Sequence, residues 1–254
     1  MKKVLSIVLA ITLVALIAVG FAACKGNDSK KTLVMATNAE FPPYEFHEGD
    51  KIVGIDAEVA QAIADKLGME LKIEDVAFDS IIPGVQAGKY DMGMAGMTVT
   101  EERQKSVNFS TSYAKGVQVV IVKEGSDIKT IDDVKGKKIG VQTSTTGDIY
   151  ASADPKDGGF GEENVTKYDN GAVAVQALLS GKVDCVIIDN EPAKSYVAAN
   201  KGLTILETSY VEEDYAICFN KDNTDLQDKV NKALEELIAD GTVKSIVDKY
   251  IKAD

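Results

Sequence analysis

From residue 32 onward, short apolar runs alternate with segments whose apolar positions recur every three or four residues. Residues 32–37 (TLVMAT) read as a first strand. Ile55, Val59, Ile63 and Leu67 then fall on one stripe, which predicts an amphipathic helix over 56–67, with Asp56 available as its cap and Gly68 as its stop. Residues 71–76 return as a strand, 80–87 as a helix with Pro83 near its start, and 90–95 as another strand. Further strands are predicted at 117–122, 138–142, 165–168, 183–188 and 215–219, with helical segments at 131–134, 148–152, 172–179 and 192–200 between them. Two helices, 226–240 and 243–251, broken at Gly241, close the chain. Such alternation predicts an α/β fold with largely parallel sheets. An internal echo points to two lobes on one plan: Gln86-Ala87-Gly88-Lys89-Tyr90-Asp91 leads into MGMAG, and Gln176 through Asp184 leads into CVIID, each a helix, a Gly-Lys turn, an aspartate and an apolar strand.

The segment before residue 32 follows another pattern. Lys2 and Lys3 precede an almost unbroken apolar run over 4–21, and small residues lead to Ala22-Ala23-Cys24. This is the layout of a secretory signal over 1–23. It resembles a bacterial lipoprotein lipobox, although Phe21 replaces the leucine usual three positions before the cysteine. The resemblance implies that Cys24 is the lipid attachment site, that 24–31 is a polar tether, and that the protein sits at the cell membrane, lipid-anchored on the extracytoplasmic face. An uncleaved membrane helix is the competing reading, because the run approaches span length.

The formal net charge is −12, and loss of Lys2 and Lys3 takes it to about −14. That excess of acid, with no basic stripe, argues against a nucleic-acid partner. An apolar content of 45% supports a folded core. Cys185 and Cys218 lie in apolar strand-like runs without metal-ligand spacing, so buried free thiols are expected, with a disulfide as the alternative. No nucleotide, metalloprotease, redox or nucleophile-elbow motif is present, the one histidine, His47, falls in a polar loop, and neither metal nor cofactor is expected.

A binding constellation is better supported than a catalytic one. In Gly96-Met97-Thr98-Val99-Thr100-Glu101-Glu102-Arg103, the arginine should occupy the first turns of a short helix capped by Thr98 or Thr100. A guanidinium there is a planar receptor for a carboxylate; the alternative is a surface arginine paired with Glu101 or Glu102. Asp189 ends the strand 183–188, at the carboxyl edge where open α/β sheets place ligands, or else caps the following helix. Thr143-Ser144-Thr145-Thr146-Gly147 precedes a helix and offers N–H groups to an anion, or is an ordinary hydroxyl-rich turn. Phe41 and Phe78 follow the first two strands, as pocket walls or as core. A cation, an acid and aromatic walls together describe a receptor for a zwitterion.

The segments Gly54-Ile55-Asp56-Ala57-Glu58-Val59, Asn38-Ala39-Glu40-Phe41-Pro42-Pro43-Tyr44-Glu45, Asp91 to Thr98 and Asn108-Phe109-Ser110 occur in an order that resembles the bacterial extracellular solute-binding proteins of polar amino acid ABC transporters (solute-binding protein family 3). Ala57 departs from the larger apolar residue usual in that signature. The resemblance implies a two-lobe periplasmic-binding-protein-like fold of type II, with two crossing strands as hinge. One lobe would be 32–112 plus 216–254, the other 117–210. It also implies a polar L-amino acid ligand, an ABC permease and ATPase complex as partners, and a monomer. Arg103 would clamp the ligand carboxylate with Thr98 and Thr146. Asp189 would take the ammonium with Gly96 and Thr98, and Phe41 and Phe78 would flank the side chain. Asn38, Glu40 and Gln142 would face its far end: the two amides suit an amide, Glu40 a guanidinium. A ligand sensor and a dehydratase-like enzyme on the same fold are the alternatives.

Overall fold

The computed structural model describes residues 31–207 and 210–252. The signal segment, Cys24 and the tether up to residue 30 lie outside the described residues.

The apolar stripe becomes helix α1 (Ile55–Leu67), which buries Ile55, Val59, Ala60, Ile63 and Ala64. Its cap differs from expectation. Gly54 holds the N-cap position, while Asp56 is a fully buried helical residue whose side chain serves the interior instead. Before α1 come β1 (Thr32–Thr37) and a small antiparallel meander, β2 (Glu40–Phe41), β3 (Glu45–Glu48) and β4 (Lys51–Val53). That meander was hidden in the sequence because His47 and Glu48 point outward and mimic a polar loop.

After α1 follow β5 (Glu70–Asp75), α2 (Phe78–Gln86), β6 (Met92–Gly93), α3 (Glu101–Ser106) and β7 (Asn108–Phe109). Helix α2 starts two residues earlier than predicted, which puts Phe78 in its first turn. The strand expected over 90–95 shrinks to β6, because Gly96 takes a positive φ of 50° and the backbone turns away from the sheet. Strand β8 (Ala114–Lys123) leads to β9 (Ile139–Gln142), α4 (Thr146–Ser152), β10 (Val165–Tyr168), α5 (Gly171–Leu179), β11 (Cys185–Asp189), α6 (Asn190–Ala199) and β12 (Leu203–Ile205). The strand predicted at 215–219 divides into β13 (Val211–Tyr215) and β14 (Cys218–Phe219), and α7 (Thr224–Ala239) and α8 (Thr242–Tyr250) end the chain.

Two main sheets result. The first has the order β5-β1-β6-β14-β7, parallel among β5, β1 and β6 and antiparallel at β14. The second has the order β10-β9-β11-β8-β12, with β13 also on β8. Here β10, β9 and β11 are parallel, while β8 is antiparallel to β11, β12 and β13. The sheets are therefore mixed rather than largely parallel: the segments that carry the chain out of and back into the first sheet run in opposite directions.

The internal echo has a structural counterpart. Asp91 Oδ2 accepts from the Val34 N–H at 2.7 Å, and Asp184 Oδ2 accepts from the Lys138 N–H at 2.8 Å. In each case the aspartate after a Gly-Lys turn ties its strand to the parallel neighbour. Cys185 and Cys218 are buried free thiols in different sheets, and burial pushes both up to about 12.

Candidate functional site

Arg103 sits on α3, whose N-cap is Thr100: the Thr100 hydroxyl accepts from the Arg103 N–H at 3.1 Å. Its side chain turns inward rather than to Glu101 or Glu102 and is only 7% exposed. Nη1 donates to the Thr98 carbonyl at 2.8 Å and Nη2 to the Ser144 carbonyl at 3.0 Å. The guanidinium lies 5.3 Å from the Phe78 ring centroid, within cation–π range. Ser144 adopts φ 63°, a conformation uncommon for a non-glycine residue, and its N–H is held by Asp148 Oδ2 at 3.0 Å. Burial lowers the Arg103 pKa, and Glu213 and Asp189 counter it by raising it.

Asp189 holds the N-cap position of α6, yet its side chain makes no capping bond. Instead it accepts from the Tyr215 hydroxyl. Burial first and Glu213 second push its carboxyl up to about 7. Glu213 Oε2 accepts from the Thr98 hydroxyl at 3.0 Å and from Gln118 Nε2 at 3.1 Å, and Gln118 Nε2 also reaches Thr146 Oγ1 at 3.3 Å. One buried network thus joins the Thr98 loop, β13, β8 and the start of α4.

These groups surround a small, largely enclosed cavity. Its lining includes Asn38, Phe41, Phe78, Gly96, Thr98, Arg103, Gln142, Thr146 and Asp189. Residues expected from sequence thus meet there from both sheets. Gln142 Nε2 donates to Asn38 Oδ1 at 2.8 Å, closing one end. Gly96 is required opposite Phe41, because a Cβ there would stand 2.7 Å from the ring. Glu40 is the exception. Its side chain is exposed and belongs to a separate surface groove with Pro42, Val173, Gln176 and Tyr196, and its backbone carbonyl accepts from the Tyr196 hydroxyl at 2.6 Å. Alternation along β2 explains this: Phe41 turns inward, so its neighbour turns out.

Three further lining residues, Glu45, Ala95 and Thr145, had no individual role assigned from the sequence. Glu213 was also missed, although alternation in Val211–Tyr215 places it on the same inward face as Tyr215. Among the described residues no cluster of His, Cys, Asp or Glu could hold a metal ion, and no helix is long and apolar enough to cross a membrane.

Comparison with known proteins decides the family. The model of the bacterial extracellular solute-binding proteins, family 3, matches residues 33–253. The chain belongs to that family. Among curated relatives of this solute-binding protein, the arginine-binding extracellular protein ArtP of Bacillus subtilis (strain 168) is 34% identical over 258 residues, covering 100% of both chains. The L-cystine-binding protein TcyJ of Escherichia coli (strain K12) is 30% identical over 262 residues, covering 100% of this chain and 96% of the relative. Among solved structures, an ancestral arginine-binding protein bound to arginine aligns with a TM-score of 0.81 at 43% identity, covering 87% of this chain and 99% of that one. An ancestral arginine-binding protein bound to glutamine gives 0.81 at 42% identity, covering 88% and 99%. The solute-binding protein thus has the two-lobe fold of this family, with β8 and β13 as its crossing strands.

Proposed function

We propose that this protein captures an L-α-amino acid in the cavity between its two sheets and presents it to the permease and ATPase subunits of an ABC importer. One observation carries the reading. A buried cation from the first half of the chain, Arg103, and a buried acid from the second sheet, Asp189, line the same cavity.

A ligand carboxylate would meet the Arg103 fork with the Thr98 and Thr146 hydroxyls beside it. The ammonium would meet Asp189, with the Gly96 carbonyl and Thr98 adjacent, and Phe41 and Phe78 would flank the side chain. Asn38 and Gln142 would contact its far end. Lobe 1 (32–112 plus 216–254) and lobe 2 (117–210) would then be bridged by one zwitterion, so binding favours the closed arrangement. The reading includes no turnover. It also takes the protein as a monomer, anchored on the extracytoplasmic face through lipid on Cys24.

Several relatives are arginine-binding proteins, which makes L-arginine the first ligand to test. L-Glutamine is the second, because the Asn38–Gln142 amide pair suits a side-chain amide. Isothermal calorimetry on protein from Lys25 onward, verified free of ligand, tests the proposal. Saturable binding of either amino acid that is lost in Arg103→Ala supports it. No binding of any of the common L-amino acids would sink it.

A further inference from the structure

Glu45 is an acid where the fold has little use for one. It lies on β3 opposite Phe41, lines the ligand cavity and is 1% exposed. No N–H or hydroxyl of another residue reaches either of its carboxyl oxygens. Asp56 shares its surroundings, because the Ile55 and Asp56 N–H groups donate to the Pro43 and Tyr44 carbonyls at 3.1 and 2.8 Å and so pin the start of α1 against this segment. Asp56 uses one oxygen fully: Oδ2 accepts from the Gly96 N–H and from the Tyr113 hydroxyl, both at 2.8 Å. Its Oδ1 is buried and, like Glu45, is reached by no ordinary donor.

The two carboxyls lie on segments joined by the Asp56 N–H bond to the Tyr44 carbonyl, and each has a buried oxygen that no donor of another residue reaches. Two buried carboxylates side by side repel one another, whereas a carboxylic acid can donate to a carboxylate. We propose that Glu45 works as a neutral carboxylic acid whose O–H donates to Asp56 Oδ1, making it a positioning residue for the Gly96–Thr98 wall of the cavity rather than an anion for the ligand. Asp56 is then an anion with three donors, and the Gly96 N–H it holds fixes the loop that also carries the Thr98 carbonyl bound by Arg103.

The surroundings place the proton on Glu45. Burial raises its pKa well above the ordinary carboxylate range, and the charges of Asp56, Asp189 and Asp75 raise it further. Asp56 is pushed up only to about 6 by burial, because the Gly96, Glu45 and Tyr113 bonds pull it back. The other titratable groups nearby are Tyr44, Tyr113 and Tyr196, all raised chiefly by burial, so none of them supplies a compensating charge. Arg103 lines the same cavity but spends its bonds on the Thr98 and Ser144 carbonyls.

The test is Glu45→Gln, whose amide keeps a neutral donor of the same reach, against Glu45→Ala, which removes it. The ligand arm rests on the amino-acid reading above; the stability arm needs no ligand. A group whose folded pKa is raised loses its stabilising contribution as pH rises, so Glu45→Gln should flatten the fall in melting temperature between about pH 5 and about pH 8. With L-arginine as the probe, Glu45→Gln should bind within about threefold of wild type and Glu45→Ala more than about tenfold weaker. A folded Glu45→Gln that binds as poorly as Glu45→Ala, or a melting curve with an unchanged pH slope, overturns the proposal. Wild type that fails to bind L-arginine refutes the arginine reading alone and leaves the stability arm decisive. If Glu45→Gln does not fold, carbon-13 resonances of side-chain-labelled glutamates in the wild type decide. One that stays protonated at neutral pH supports the proposal, and deprotonation of all of them by about pH 6 overturns it.

Discussion

The Tyr215 hydroxyl donates to Asp189, so the last residue of one crossing strand holds the carboxyl at the end of β11. Tyr215 is fully buried, and its ring also packs edge-on against Tyr44 at 5.1 Å between centroids. The bond reaches from the hinge to the acid proposed to meet the ligand ammonium. Tyr215→Phe keeps the ring and removes the donor. Stability is expected to drop by about 1–3 kcal/mol, the cost of stranding a buried acceptor. Because this bond lowers the Asp189 pKa, its loss should also weaken ligand binding at neutral pH. Urea denaturation and calorimetry read the two effects separately.

Removing the guanidinium should be more severe for binding than for folding. Arg103→Ala strands a ligand carboxylate in a buried site and is expected to cost roughly 3–5 kcal/mol of affinity. Arg103→Lys should not restore it, since a single ammonium cannot satisfy the Thr98 and Ser144 carbonyls and a planar carboxylate together. Affinity within about threefold of wild type in Arg103→Ala would remove this residue from the site.

Binding should release a proton under mildly acidic conditions. The Asp189 carboxyl is pushed up to about 7, first by burial and then by Glu213. An ammonium partner favours the carboxylate, so affinity should climb by up to about tenfold per pH unit below that value and level off above it. Calorimetry near pH 6 in buffers of different ionisation enthalpy measures the released proton directly. Equal heats in all buffers would mean that Asp189 is already ionised.

Ligand-free protein should show the opposite trend in stability. Asp56 and Asp189 both have raised folded pKa values, about 6 and about 7, so their contribution is complete below the unfolded carboxylate range and is lost as pH rises through those values. Exposed Asp127, Asp133, Asp214 and Asp240 are lowered and act in the other sense at lower pH. The melting temperature is expected to be higher near pH 5 than near pH 8. A protein that is more stable at the alkaline end would show that the buried acids are ionised throughout.

Gly116 reports on the hinge. A methyl there would stand 2.3 Å from the Tyr215 hydroxyl oxygen. Gly116→Ala must push the ring off Asp189 or spread β8 from β13, and should cost about 1–3 kcal/mol of stability. Its effect on affinity should overlap with that of Tyr215→Phe. Double-mutant additivity would indicate two separate causes.

How much of this was legible beforehand depended on whether a residue's role followed from spacing or from its surroundings. The stripe of α1, the cap of α3 and the end of β11 rest on local patterns, and Arg103, Asp189 and the two phenylalanines could be singled out from them. Asp56 could not be read correctly. An aspartate at a helix start looks like a cap, and only the approach of Gly96 and Tyr113 from distant segments reveals another use. Glu45 and Glu213 sit in short strands beside acids that face solvent, so nothing in the composition set them apart. Only the inward phase of β3 and β13 marks them as buried. Strand β6 was overpredicted for the converse reason: the residues after it are buried against the cavity rather than in a ladder.

The two segments joining the halves of the molecule are bonded to each other across five residue pairs, from Val211 with Gln118 to Tyr215 with Ala114. A pair of separate linkers would allow shear, twist and bend in any mixture. A single two-stranded ribbon leaves the halves little freedom except to swing as a jaw on one axle. On the proposed reading, occupancy of the cavity would be converted into one angle, and a membrane partner sensing only the spacing of the two outer faces would tell a loaded receptor from an empty one without touching the amino acid.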